Sequence, residues 1–152
     1  MEIAVVVDTN VVFASLIRSG GINRYVLTLY PELVPFFYPQ VVVDEVFNHL
    51  GELARKAKLS PEEIKMAMGI IFEPMVLVSS LQLSDYKVSS EEYVHDIGDA
   101  PFVACALMLK ERYENVIILT WNVSDYATGK LRDAGIHVMT PVEFIKWIKE
   151  RY

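Results

Sequence analysis

The chain has 152 residues, of which 20 are acidic and 14 are Lys or Arg, for a net charge of −6. That length suits one domain with a real core, and the acidic balance excludes a protein that coats DNA by charge alone, which would be basic. No apolar run reaches the roughly 20 residues of a bilayer span, and the single Cys105 excludes an internal disulfide framework and a CxxC zinc site.

The start, Met1-Glu2-Ile3, has neither the basic residues nor the cleavage site of a signal peptide, so a cytoplasmic location without membrane attachment is expected. "IAVVV" (3–7) is an unbroken β-branched run and predicts a strand buried on both faces. "NVVFASLIR" (10–18) predicts a helix with Asn10 as its cap, and "INRYVLTLY" (22–30) a second one after Gly20-Gly21. "FFY" (36–38) is a short strand. In "PQVVVDEVFNHLGELARKAK" (39–58) the valines favour strand, but Val42, Val46, Leu50, Leu53 and Ala57 recur at helical spacing, and one helix is expected.

"SPEE" (60–63) is a capping box that opens a helix to about Phe72. The apolar Met66, Met68, Ile70, Ile71 and Phe72 on it are expected to pack in the core or in a dimer interface. "MVLVS" (75–79) is a strand, and residues 80–98 read as a polar loop with a helical turn near 90–94. "DAPFVACALMLKERY" (99–113) is a helix, apolar nearly all round in its first half and so deeply buried, with Cys105 a structural thiol. "VIILT" (116–120) and "IHVM" (136–139) are strands, and "TPVEFIKWIKER" (140–151) closes with a second capping box, Thr140 to Glu143.

Alternating strands and helices predict an α/β fold: one domain over residues 1–152, with a parallel sheet covered by helices on both faces. Functional groups of such sheets gather at the C-terminal ends of the strands. Asp8 follows the first strand there. Asp44 and Glu45 lie in the first turns of the 39–58 helix. Asp96 and Asp99 precede the buried helix, with Asp99 also placed to cap it, and Asn122 and Asp125 follow "VIILT". Crowded carboxylates raise one another's pKa unless a cation neutralises them. All-oxygen ligands suit Mg²⁺ or Mn²⁺ and phosphoryl-transfer chemistry. His49, His95 and His137 read as surface or satisfied histidines, and Arg18, Arg24, Lys130 and Arg132 as solvated charges. Trp121 reads as a packing residue that could also stack a base.

Taken together, "VVVDTNVVFASLI", "FFYPQVVVDEV", "DIGDAPFVACAL" and "VIILTWNVSDY" resemble, in order, the four motifs of the PIN domain, and "GIHVMTPVEFI" resembles its usual ending. Within that family the chain looks like the VapC-type toxins. The resemblance implies a Rossmann-like, metal-dependent endoribonuclease acting on RNA. Asp8, Asp99 and Asp125 would bind Mg²⁺ or Mn²⁺, and Glu45, rather than Asp44, would hold or activate water. Thr9 or Asn10, Thr120 and Asn122 would support the acids by hydrogen bonds. It also implies a homodimer and an antitoxin partner. The chain departs from many members at Asn122, where they carry an acid, with Asp125 three residues on. Asn122 supports a rival reading, a PIN-like RNA-binding or assembly domain without catalysis. A phosphotransfer domain fits less well: a haloacid-dehalogenase-like protein wants D-x-D where Asn10 stands, and a receiver wants a Lys where the chain has "LTWN".

Overall fold

The computed structural model describes residues 2–152. Five strands, β1 (Ile3–Val7), β2 (Phe36–Pro39), β3 (Val76–Val78), β4 (Asn115–Leu119) and β5 (Ile136–Met139), form one sheet in the order β3-β2-β1-β4-β5. All its pairings are parallel, and β1 sits at the centre, in register with β4 from Ile3↔Asn115 to Val7↔Leu119. Successive side chains of a strand point to opposite faces. All five residues of β1 are buried, so helices cover both faces there, as its unbroken apolar run requires. Each fully buried valine contributes on the order of 1.5–3 kcal/mol.

The chain runs from β1 outward to β2 and β3, then returns to the other side of β1 for β4 and β5. The order therefore reverses between β1 and β4, and the crevice beyond their C-terminal ends is where such sheets hold ligands. Asp8 and Thr120 are the first residues past those two ends. The Asp8 N–H donates to Leu119 O (3.0 Å) and the Thr120 N–H to Met139 O (2.9 Å), so the ladder carries on into the site.

The helices are α1 (Thr9–Ile17), α2 (Ile22–Leu29), α3 (Val41–Asn48), α4 (Leu50–Ala57), α5 (Pro61–Phe72), α6 (Ser80–Leu83), α7 (Lys87–Ser90), α8 (Ala100–Lys110), α9 (Thr128–Asp133) and α10 (Pro141–Lys149). Both expected capping boxes form: the Glu63 N–H donates to Ser60 Oγ at 3.1 Å and the Glu143 N–H to Thr140 Oγ1 at 3.2 Å, with the return bonds each at 3.0 Å. α8 is buried through most of its length, Cys105 included. No helix among the described residues is long and apolar enough to cross a membrane.

Three sequence expectations need correction. α1 begins at Thr9, so Asn10 lies inside the helix rather than capping it, and its side chain is used across the sheet edge instead. The helix expected over 39–58 is two, broken at His49 (φ −111°, ψ 17°), where Asn48, His49 and Gly51 cluster poor helix formers. The His49 ring packs edge-on against Phe13 of α1, centroids 5.5 Å apart. Residues 80–98 are mostly short helices and 3-10 turns rather than a loop, and Ser79 with Gln82 forms a capping box in front of them. On α5, Ile71 and Phe72 are buried as expected, and Met66 and Ile70 are 68% and 67% exposed, so of the two expected settings the core does not hold for those two.

Candidate active site

Thr120 and Asp8 meet because β1 and β4 are neighbours in register. The Thr120 hydroxyl donates to Asp8 Oδ2 (2.9 Å) and accepts from Asn10 Nδ2 (2.9 Å) and from the Asn122 N–H (3.0 Å). Asn10 Oδ1 in turn accepts the Trp121 N–H at 2.9 Å. A second hydroxyl, that of Tyr126, donates to the same Asp8 Oδ2 at 2.8 Å. Asp8 is 4% exposed, and burial pushes its carboxyl above the usual carboxylate range, against the opposing pull of those hydroxyls; Asp125 adds to the rise.

Glu45 comes from the first turns of α3, whose N-terminus follows β2. Its Oε1 accepts from the Thr9 hydroxyl at 3.0 Å, so Thr9 and Thr120 support one acid each. Burial raises the Glu45 carboxyl, the Thr9 bond lowers it, and Asp8 raises it again. Asp44, the residue before it, is exposed.

Asp99 stands at the start of α8, but its side chain makes no capping bond to the helix, contrary to the sequence expectation. Its backbone (φ −89°, ψ −9°) is helical rather than extended, which turns the carboxylate away from the free N–H groups. Asp96 is the residue that caps, accepting the Gly98 N–H at 2.9 Å in the 3-10 turn ahead of α8. Burial and then the charges of Asp8, Asp125, Asp96 and Glu45 push the Asp99 carboxyl up to about 6. Asp125 ends a 3-10 turn, Val123–Asp125, in which residues three apart lie nearly above one another. Asn122 heads that turn, and its contribution is the backbone: its N–H serves Thr120 and its C=O accepts the Asp125 N–H at 3.0 Å. Its side chain is directed to solvent, not to Asp125.

Asp8, Glu45, Asp99 and Asp125 are thus brought to one edge of the sheet, with Asp96 close enough for its charge to act as well. Among the described residues no three of them are gathered tightly enough to hold a metal ion as they stand. The donor set nonetheless fits a hard dication. It is all oxygen, the charges acting on Asp99 are all negative, and Mg²⁺ commonly takes only one or two carboxylates and keeps several waters. A groove of about 430 Å³ runs alongside, lined by Val41, Leu83, Ile97, Ala100 and Ala104, and flanks the acids rather than containing them.

Sequence reasoning missed Tyr126. Its one signal was an aromatic residue directly after Asp125 that carries a hydroxyl where a plain core position would take Phe. Trp121 is 38% exposed beside the site, and its indole N–H donates to Asn23 Oδ1 at 2.7 Å. Of the histidines, His49 is exposed near Glu52 (3.4 Å), and His137 lies half-buried in β5 by Trp147.

The electrostatics set a pH dependence. With Asp8, Glu45 and Asp99 all raised, the native state keeps protons that the unfolded chain releases, so metal-free stability falls as pH rises from the ordinary carboxylate value of 3.8 through about 6 at Asp99. Melting in EDTA is expected to be higher near pH 5 than near pH 7, and the control is Asp99→Asn. That control should flatten the slope, and an unchanged slope contradicts the assignment.

The fold is a parallel α/β sheet with acids brought to its switch point, and the comparisons give the family. The sequence profile of the PIN domain matches residues 6–112, and the chain belongs to that family, whose members are generally nucleases. Among solved structures, a chain of VapBC2 from Rickettsia felis, solved bound to a DNA fragment from its promoter, shares the fold. The TM-score is 0.63 at 11% identity, covering 90% of this chain and 98% of that one. No curated protein sequence matches.

Proposed function

We propose that the chain is a divalent-metal-dependent endoribonuclease and the toxin of a VapC-type toxin–antitoxin pair. The observation that carries the reading is the convergence of Asp8, Glu45, Asp99 and Asp125, from four separate segments, at the switch-point edge of the sheet. Family membership and the fold shared with VapBC2 support it. Bound Mg²⁺ or Mn²⁺ would acidify water and offset charge on the phosphate. Asp8, Asp99 and Asp125 would hold the cation. Glu45, steadied by Thr9, accepts a proton from the attacking water; its raised pKa brings it nearer the working pH of a base. The same reading takes residues 1–152 as one domain that works in the cytoplasm as a homodimer. An acidic groove also suits a basic antitoxin segment, whose Arg could pair with the carboxylates.

The test is incubation with single-stranded RNAs in Mn²⁺, Mg²⁺ or EDTA. Cleavage is expected with metal only. Water is the nucleophile, so the products should carry no 2′,3′-cyclic phosphate. Absence of cleavage on a range of RNAs would favour a non-catalytic PIN-like domain, the reading that the solvent-directed Asn122 side chain supports.

The fourth motif provides a sharper expectation. Asp125→Ala should weaken Mn²⁺ binding by about 10-fold or more, as loss of a ligand or its close support does. Asn122→Ala, which keeps the backbone bonds to Thr120 and Asp125, should change it little. Asn122→Asp should retain or raise activity. Normal binding and cleavage by Asp125→Ala beside an inactive Asn122→Ala would show that the roles are reversed.

A further inference from the structure

We propose that Tyr126 is the positioning residue of this centre: its hydroxyl, with that of Thr120, holds one oxygen of Asp8 and so orients the carboxylate that would bind a divalent cation, while the main chain on either side of it fastens the Asp96–Asp99 segment beside Asp125. The inference rests on the metal-dependent reading above.

Asp8 Oδ2 receives Tyr126 Oη at 2.8 Å and Thr120 Oγ1 at 2.9 Å. A carboxylate offers about four acceptor sites, two on each oxygen. Both sites of Oδ2 are taken, and the Thr9 N–H also bonds the carboxylate, so the remaining acceptor capacity, on Oδ1, is what is left to act as a ligand, and these bonds restrain the carboxylate from rotating. Tyr126 is buried, with its hydroxyl donating to Asp8 Oδ2. A position that needed only a ring to fill the core would be served by Phe.

The main chain on either side of Tyr126 does a second job. Val94 and Tyr126 form an isolated antiparallel bridge. On either side of it the His95 N–H donates to Asp125 O (3.0 Å) and the Ala127 N–H to Tyr93 O (2.8 Å). The chain leaving this clamp enters Asp96, which caps the turn that delivers Asp99. Tyr126 and its two chain neighbours therefore join three acid-bearing segments: Asp8 through the Tyr126 side chain, Asp125 as its neighbour in the chain, and Asp96–Asp99 through the flanking backbone bonds. Groups one layer out from a metal commonly set its affinity in this way.

The experiment is a calorimetric Mn²⁺ titration of the metal-free wild type, Tyr126→Phe and Tyr86→Phe, with melting of each. Tyr86 donates to Glu111 on the protein surface, away from the acids, and controls for loss of a tyrosine hydroxyl. Tyr126→Phe keeps its backbone bridge and ring, so it should fold, and its Mn²⁺ affinity should fall about 10–100-fold. The Mn²⁺ concentration for half-maximal RNA cleavage should rise in step, with a smaller loss of rate at saturating Mn²⁺. Tyr86→Phe should bind as the wild type does. Thr120→Val, which removes the other donor to Oδ2, carries the same expectation should Tyr126→Phe not fold. Wild-type affinity in Tyr126→Phe, whatever its melting temperature, overturns the inference and leaves the nuclease reading standing. A wild type that binds no Mn²⁺ overturns both.

Discussion

Asp8→Asn is expected to fold normally and to lose Mn²⁺-dependent RNA cleavage. The substitution keeps an oxygen that can accept from Tyr126 and Thr120, so the hydrogen-bonded frame survives. It removes the one carboxylate that is nearly fully buried, whose charge burial already disfavours. Metal-free melting should therefore be unchanged or higher. Losing the cation forfeits several kcal/mol of charge stabilisation, roughly a 10²–10⁴-fold fall in rate. A variant that cleaves as fast as the wild type shows that Asp8 lies outside the chemistry.

Asp99→Ser is expected to have the next largest effect. The Asp99 side chain makes no bond to α8, so its removal costs the helix no cap. Its carboxyl, pushed up to about 6, repels its neighbours when ionised. Near pH 7 the metal-free variant should melt a few degrees higher, at about 2–4 °C for each kcal/mol of relieved repulsion in a chain of this size. Mn²⁺ affinity and cleavage should both fall by at least about 10-fold. Asp99→Ala should behave the same, because there is no cap for Ser to preserve. A lower melting point for Ala than for Ser, with activity intact in both, would return Asp99 to a capping role.

The parts of the molecule legible in the sequence were those where one residue type has one physical use. "IAVVV" could only be a doubly buried strand, and Asp8 directly after it could not be explained by the core. The S/T-x-x-E boxes at Ser60 and Thr140 placed α5 and α10 at their start. The supports Thr9 and Thr120 followed from the family's motifs, and the structure assigns each its acid: Thr9 to Glu45, Thr120 to Asp8.

What stayed hidden depended on geometry between segments. The six-residue α9 is too short to show a helical period, though Gly135, in the left-handed region at φ 82°, marks its end. α6 had a signal, the Ser79–Gln82 box, that was overlooked because polar residues dominate the stretch around it. Asp before Ala-Pro usually caps a helix, but Asp99 lies in the 3-10 turn that Asp96 caps, with its own backbone already helical. Tyr126 could not be placed, since nothing in "SDY" says that the ring turns inward over 118 residues of separation to Asp8.

The most direct test of the metal centre is thermal melting of metal-free protein with and without Mn²⁺, wild type beside Asp8→Asn. A cation that binds only the native site at a hundredfold excess over its Kd adds about 2.7 kcal/mol of stability. The wild type should therefore melt several degrees higher with Mn²⁺, and Asp8→Asn should not respond. A wild type whose melting point ignores Mn²⁺, or an Asp8→Asn variant that gains as much from it, would contradict the assignment of these acids to a metal-dependent nuclease.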